Sequence, residues 1–96
     1  MKYSKSNLEK LELLFKELEY NVRYEKGNFN SGYCVVEHKK IVVVNRFYDI
    51  EGRINILLDI LSTLSIDEAS LTEKSQQFFR QVAKNQENQL KELLQV

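Results

Sequence analysis

The chain has 96 residues, the size of one globular domain with no room for two, so we expect a single domain over residues 1–96. Its 43% apolar and 29% charged residues, with no proline and three glycines, argue against a disordered or linker-rich chain. Fourteen basic residues balance fourteen acidic ones, so the basic excess typical of phosphate-binding proteins is absent, and the low net charge favours self-association.

The cysteine content and the apolar runs bear on where the protein works. Cys34 is the only cysteine, so the chain cannot form an intramolecular disulfide. The amino terminus lacks the apolar core of a secretory signal, and the longest apolar runs, such as residues 41–44, are far too short to span a membrane. We therefore expect a cytoplasmic protein with no membrane-spanning segment.

The first predicted element is a helix over about residues 7–19. Ser6 and Glu9 have the spacing of an N-terminal capping box. Apolar residues then recur with the helical period, and the stripe consists of Leu8, Leu11, Phe15 and Leu18, with Leu14 alongside. After this helix the period changes to two, and Val22 and Tyr24 predict a short strand with one covered face.

Two more strands are predicted around a short polar tip. Residues 27–32 carry two of the three glycines and are expected to form a turn or loop. Residues 33–37 and 41–45 are rich in β-branched side chains, and the polar residues 38–40 between them suit a hairpin tip. We therefore predict that these two strands form an antiparallel pair at the centre of the sheet.

Two further helices complete the predicted fold. The second, over residues 51–64, is apolar over more than half of its circumference, which is typical of a central, buried helix. Capping patterns begin at Ser65 and at Ser70, so the third helix is expected to start at one of these two places. The predicted fold class is α+β: a small three-stranded, mostly antiparallel sheet (a meander) packed against three helices in the order α-β-β-β-α-α.

Metal and thiol chemistry find little support in the sequence. A zinc site needs several cysteine and histidine ligands, and the chain has only Cys34 and His38. Four residues along a strand separate two Cα atoms by roughly 13 Å, which is too far for these side chains to share one ion. A buried thiol and a solvated turn histidine explain both residues better. We therefore predict no metal, no cofactor and no catalytic residue, and favour a protein that is not an enzyme.

A small-ligand site is one alternative function. Residues 27–32 lack the pattern of a nucleotide-binding loop, but loops carry binding sites more often than strands do. Several residues near this loop and near the start of the second helix could bind an anionic group. They are Arg23, Asn30, Asn45, Arg46 and Arg53. This hypothesis describes an anionic-ligand-binding protein, or an enzyme with its site between these segments.

Weak nucleic-acid binding is another alternative. Basic and aromatic side chains near the strand ends, such as Arg46, Phe47 and Tyr48, are of the kind that stack on bases and hold phosphates. The same rings could instead pack in the core while the charges stay solvated. The balanced overall charge favours that second interpretation.

The last helix carries the leading hypothesis. A short heptad-like seam runs along it, through Phe79, Ala83, Gln86, Leu90 and Leu93. Packing back onto the domain explains the early apolar residues, whereas a partner surface explains the late leucines as readily as docking within the chain does. We predict a non-enzymatic interaction domain that forms a homodimer, or binds another protein, through this helix and a nearby sheet edge. The predicted interface residues are Phe79, Leu90, Leu93 and Leu94.

Two resemblances to known families concern the middle of the chain. Residues 24–34 read YEKGxFxSGxC and are similar to a small uncharacterised bacterial protein family, which implies no activity. Residues 32–36, 40–45 and 51–54 show a distant resemblance to the core of ImmA/IrrE-type metallopeptidases, in which a strand ending in asparagine leads to a zinc-binding HExxH helix. Here the corresponding residues 59–63 read DILST, so both histidines and the general base are missing. This resemblance implies a catalytically silent relative that is kept for binding.

Overall fold

The computed structural model describes residues 2–26 and 33–94, with side chains for all of them except 33, 34, 37 and 85–94. The elements are α1 (Lys5–Glu17), β1 (Asn21–Glu25), β2 (Tyr33–Val36), β3 (Ile41–Asn45), α2 (Ile50–Thr63) and α3 (Glu73–Leu94). Short 3-10 turns cover Glu37–Lys39 and Glu68–Ser70. The predicted α+β class and the order α-β-β-β-α-α are confirmed.

The three strands form one sheet in the spatial order β1-β3-β2. β2 pairs antiparallel with β3, which confirms the predicted pair. β1 pairs parallel with β3, so that Val22 lies beside Val42 and Tyr24 beside Val44. The predicted meander is therefore wrong, since β1 lies next to β3 and the sheet is mixed. β3 is the strand richest in β-branched residues, and the central position pairs both of its edges and covers one of its faces.

Helix α1 begins and ends two residues earlier than predicted. Its N-cap is Ser4, whose hydroxyl oxygen accepts a hydrogen bond from the backbone amide three residues later at 3.2 Å. Glu19 has a φ of 67°, and the Tyr20 amide donates to the Phe15 carbonyl at 2.9 Å, so a left-handed residue ends the helix. The predicted cap at Ser6 is wrong because two serines, two positions apart, both precede the same apolar stripe.

Helix α2 begins one residue before its predicted start. The carboxylate of Asp49 accepts a hydrogen bond from the Gly52 amide at 2.8 Å and so caps the helix. Its inner face buries five apolar side chains, and these are Ile54, Ile56, Leu57, Ile60 and Leu61. The predicted role of this helix as a central, buried element is confirmed.

Helix α3 begins at Glu73, beyond both of its predicted starts. Residues 68–70 instead form a separate 3-10 turn, which is capped by the side chain of Asp67. The hydroxyl oxygen of Thr72 then accepts a hydrogen bond from the Ser75 amide at 3.4 Å. The second capping pattern therefore lies two residues too early, because a short polar turn separates it from the long helix.

The hydrophobic core lies between the sheet and the helices. Its buried members are Leu8, Leu11, Leu14, Phe15, Val42, Val44, Ile54, Ile56, Leu57, Ile60, Leu61, Leu71 and Val82. Val42 and Val44 are buried whereas Ile41 and Val43 are only partly buried, so the helices cover the face of β3 that carries the first pair. In the part of the chain that the structure describes, no helix has the length and apolar character needed to cross a membrane.

A hydrogen-bond cluster joins the end of α1 to the start of α3. One carboxylate oxygen of Glu17 accepts from the Thr72 amide at 2.7 Å, and the other accepts from the Ser75 hydroxyl at 2.5 Å. The amino terminus of a helix favours a negative charge, because its first amides are unpaired and its dipole is positive there. Burial raises the pKa of Glu17, but the hydrogen bonds from Ser75 and Thr72 lower it more, so its pKa lies below the ordinary value of 4.5.

The substitution Glu17→Gln is expected to lower the free energy of unfolding by about 1 to 2 kcal/mol near neutral pH, because one acceptor becomes a donor and the charge is lost. Since the folded-state pKa of Glu17 lies below the unfolded value of 4.5, this stabilisation is present above that pH and is lost as the pH falls through the folded value. Urea unfolding at about pH 7 and at about pH 3 measures the effect.

The natural protein and the Glu17→Gln variant should differ in free energy of unfolding near pH 7, and the difference should become small in acid. The exposed Glu9, on the same helix, supplies a matched control, because Glu9→Gln should change stability by less than about 0.5 kcal/mol at either pH. An equal loss for Glu17→Gln at both pH values would contradict a role for the ionised carboxylate.

Candidate functional site

The turn that joins β3 to α2 and the first residue of α2, together residues 46–50, expose large apolar side chains and are called here the aromatic turn. Phe47 is 68% exposed, and Tyr48 and Ile50 are each 39% exposed. Burying a phenylalanine side chain is worth about 1.5 to 3 kcal/mol, so a domain gains stability by covering such a ring. The aromatic turn instead leaves most of the Phe47 side chain exposed to solvent.

Hydrogen bonds to its backbone amides hold the aromatic turn in one shape. The side-chain oxygen of Asn45 accepts from the Phe47 amide at 3.1 Å, which forms an Asx turn. The carbonyl of Asn45 accepts from the Tyr48 amide at 3.2 Å. The Arg46 amide donates to the Glu25 carbonyl on β1 at 3.1 Å, so the turn extends the ladder between the two parallel strands by one bond.

Arg53, in the first turns of α2, clamps the aromatic turn. Its Nε donates to the carbonyl of Tyr48 at 2.9 Å, and its Nη2 donates to the carbonyl of Arg46 at 2.8 Å. Its guanidinium carbon also lies 4.4 Å from the centre of the Tyr24 ring on β1. A planar guanidinium can bind two carbonyls and an aromatic face together, which a lysine ammonium cannot do. Arg53 therefore joins β1, the aromatic turn and α2.

Gly52 allows the ring of Tyr48 to lie against the start of α2. A Cβ atom at position 52 would approach the Tyr48 Cδ1 to 2.8 Å and the Tyr48 Cβ to 3.3 Å. Carbon atoms do not pack stably at the first of these distances, so any side chain at Gly52 would displace the ring. The glycine thus contributes to the shape of the exposed surface.

The side chains around Arg53 do not form an acid–base or metal site. The hydroxyl of Tyr24 is buried and has no hydrogen-bond partner among the described residues. Burial raises the pKa of this phenol far above its ordinary value, the nearby carboxylate of Glu12 raises it further, and Arg53 lowers it by less. The hydroxyl therefore stays protonated at neutral pH. No three His, Cys, Asp or Glu side chains within the described residues lie close enough to hold one ion.

Three of the five predicted ligand residues meet at the aromatic turn, but two of them are already engaged. Asn45 and Arg53 direct their side chains at the backbone of the turn. The guanidinium carbon of Arg46 lies 5.7 Å from the centre of the Phe47 ring, at the surface. Asn45 and Arg53 therefore stabilise the turn, Arg46 lies on its surface, and the three side chains do not converge on one anion.

The other two predicted ligand residues lie elsewhere. Arg23 is exposed on β1, and its Nε lies 3.5 Å from a carboxylate oxygen of Glu25. Because side chains alternate along a strand, Arg23 faces away from the side of the sheet on which Tyr24 meets Arg53. Asn30 lies outside the described residues. The predicted ligand site thus gains no support from the placement of Arg23.

The predicted interface residues lie on α3. Phe79 is partly buried and packs against the hydrophobic core, where it lines a hollow of about 300 Å³ with Leu61 and Val82. Helix α3 continues to Leu94, but the side chains of the three late leucines, 90, 93 and 94, lie outside the described residues. An interface through these leucines stays a prediction.

A second exposed apolar surface lies between α1 and α3. A groove of about 460 Å³ is lined there by Leu13 and Phe78, with Lys10 and Lys74 at its sides. The Nζ atom of Lys10 lies 5.9 Å from the centre of the Phe78 ring, so the lysine partly shields the ring. This groove is hollow, whereas the aromatic turn presents its rings to solvent.

The sequence predictions did not single out Ile50, and they treated Phe47 and Tyr48 as base-stacking or core residues. One local signal points to their exposure. Three large apolar residues, at positions 47, 48 and 50, lie on either side of the helix cap Asp49, directly after a strand end. The connection itself is only four residues long, 46–49, and connections between elements run over the surface. An apolar cluster in such a connection therefore predicts an exposed surface.

The fold and the aromatic turn can also be compared with known proteins. Comparisons with protein-family models, with curated proteins and with solved structures found no match to this chain. The predicted resemblances to the ImmA/IrrE-type metallopeptidases and to a small bacterial family stay predictions.

Proposed function

We propose that this chain is a small, non-enzymatic, cytoplasmic interaction domain that binds a protein partner through the aromatic turn. The observation that supports this most directly is the 68% exposure of Phe47 on a turn whose backbone is held by hydrogen bonds. An exposed ring on a mobile loop would collapse onto the domain. A ring on a clamped turn stays available to a partner.

Two physical arguments connect the aromatic turn with recognition. The residues that carry most of the binding energy in protein interfaces are enriched in tyrosine, tryptophan and arginine, and an exposed phenylalanine offers a partner comparable apolar area. Binding also orders loops and side chains, which costs free energy. Because Arg53 and Asn45 already hold the turn, most of that ordering takes place when the domain folds.

The charges around Phe47 indicate what the partner should look like. Arg46 stacks on the exposed ring and forms no ion pair with any described residue. The carboxylate of Asp49 is directed at the amino terminus of α2, where it binds an amide. The partner should therefore offer an apolar pocket for a phenyl ring with an aspartate or glutamate at its rim.

Nucleic-acid binding fits the same turn less well. A single-stranded nucleic acid needs stacking rings together with several cations along its backbone. The donors of Arg53 are directed at the carbonyls of the turn, which leaves Arg46 as the cation beside Phe47 within the described turn. The balanced charge of the whole chain points the same way.

A photo-crosslinking amino acid placed at position 47 in the natural host cells tests the proposal. Discrete crosslinked proteins are expected, and the additional change Arg46→Glu should weaken them, because it removes the positive charge beside the ring. Leu13 is a matched control, since it is apolar and 50% exposed but lies on α1, away from the turn. The same label at position 13 should not capture the same proteins.

The dissociation constant of any captured protein then tests whether Phe47 is part of the interface. Phe47→Ala should raise its dissociation constant by about thirtyfold or more, as expected for a central interface residue. Leu13→Ala should leave the constant unchanged. Equal effects of the two substitutions, or identical crosslinks from both positions, would contradict the proposal.

A further inference from the structure

β1 lies at one edge of the sheet and pairs with β3 on its inner side. The Asn21 amide donates to the Lys40 carbonyl at 2.8 Å, and the Glu25 carbonyl accepts from Arg46. In a parallel ladder, alternate residues direct their amide and carbonyl groups to the same neighbour. The odd residues of β1 therefore face β3, while Val22 and Tyr24 direct their backbone groups outward. No described residue binds these outward groups, so the edge can accept a further strand.

The charge pattern along this edge is self-complementary. Arg23 and Glu25 are exposed, with 53% and 48% of their side chains accessible, and they have opposite signs two positions apart. Charged residues on an edge strand usually prevent pairing with another copy. In an antiparallel pair centred on Tyr24, however, Arg23 of each copy lies directly opposite Glu25 of the other.

The outward backbone groups allow this register. With Tyr24 opposite Tyr24, the two tyrosines exchange a pair of backbone hydrogen bonds, and Val22 does the same with Lys26 of the other copy. The Arg23–Glu25 positions then form the closer, non-hydrogen-bonded pairs, whose Cβ atoms lie about 4.5 to 5.5 Å apart. Both cross-strand ion pairs occur at the positions where side chains approach most closely.

The neighbouring registers are opposed by the same charges. The neighbouring registers that keep the outward groups paired differ from this one by two residues. In one of them Arg23 lies opposite Arg23, and in the other Glu25 lies opposite Glu25. Like charges directly opposite each other destabilise a strand pair. The groove between this edge and α1 also carries charges of both signs, from Glu12, Lys16 and Glu19, which a second copy related by a two-fold axis would meet.

We propose that β1 pairs antiparallel with β1 of a second copy about a two-fold axis at Tyr24, so that two three-stranded sheets become one continuous sheet. This dimer does not involve the aromatic turn, so it goes beyond the proposed function. A failure of either proposal would leave the other unaffected. It assigns the predicted self-association to the sheet edge. The late leucines of α3 have no part in it.

Sedimentation equilibrium of the full chain and its charge variants tests the register. Arg23→Glu and Glu25→Arg each place like charges opposite one another twice in the dimer, and each should weaken dimerisation by at least about tenfold. The double exchange, Arg23→Glu with Glu25→Arg, restores both opposite-charge pairs and should recover the natural dissociation constant within about threefold. An equimolar mixture of the two single variants should form a heterodimer.

Two controls show whether the charges act at the β1 edge and on a folded domain. Asp59→Arg changes an exposed charge on α2, which contributes no residue to the groove beside β1, and should leave dimerisation unchanged. Circular dichroism of each variant shows whether the domain is folded. A chain that stays monomeric at all accessible concentrations overturns the proposal. So does a dimer that the charge variants leave intact, including one that is lost only when Leu90 and Leu93 are replaced by lysine.

Discussion

Replacing Leu14 by alanine is expected to lower the free energy of unfolding by about 2 to 5 kcal/mol, which is the usual loss when a buried leucine leaves a cavity in a packed core. Leu14 is 0% exposed and lies with Phe15 and Leu11 in the core. For a domain of this size, the midpoint of thermal unfolding should fall by roughly 10 to 30 °C. Urea and thermal unfolding, followed by circular dichroism, measure both quantities.

Leu13 provides the matched control for this prediction. It is the same residue type on the same helix, one position away, but it is 50% exposed. Leu13→Ala should therefore change the free energy of unfolding by less than about 0.5 kcal/mol. Similar losses at the two positions would mean that α1 presents a different face to the core.

Replacing Arg53 by alanine is expected to lower the free energy of unfolding by about 2 to 3 kcal/mol. The substitution removes two charge-assisted hydrogen bonds to the carbonyls of Arg46 and Tyr48, together with the stacking on Tyr24. Arg53→Lys should recover little of this loss, because an ammonium group cannot reach both carbonyls and the ring at once. Urea unfolding of the natural protein and the two variants measures the three free energies of unfolding.

Arg46 is the control that distinguishes a clamp from a ligand site. Its guanidinium lies at the surface over Phe47, so Arg46→Ala should change stability by no more than about 0.5 kcal/mol. An anion site built from both arginines would behave differently, since both substitutions would abolish stabilisation by an anion such as phosphate. Thermal unfolding with and without inorganic phosphate separates the two cases. A phosphate-dependent shift that both variants lose would contradict the clamp.

The two arginines also illustrate what could be predicted about the site. Arg46 and Arg53 were predicted to converge on an anionic group, and in the structure Arg53 donates a hydrogen bond to the Arg46 carbonyl. The sequence did not show that Arg53 binds backbone carbonyls, because a carbonyl acceptor has no side chain by which a sequence pattern could reveal it. Arg53 therefore looked like a ligand-binding residue, although its donors are directed into the protein.

The helices were predicted well because their signals are local. The bounds of α2 differ by one residue from the prediction, since Asp49 and the apolar stripe that follows it specify the start and the buried face together. The start of α1 was misplaced by two residues, because Ser4 and Ser6 offer equivalent caps. The start of α3 was misplaced because a polar 3-10 turn precedes it.

The sequence by itself determined the number, type and order of the helices and strands, because periodicity and capping depend on residues close together in the chain. Only the tertiary structure decided that β1 lies parallel to β3 and that no strand of the described residues pairs with its other edge. Alternation of Val22 and Tyr24 is the same in a parallel and an antiparallel strand. The choice depends on hydrogen bonds between residues about twenty positions apart, and on the burial of β3 beneath the helices.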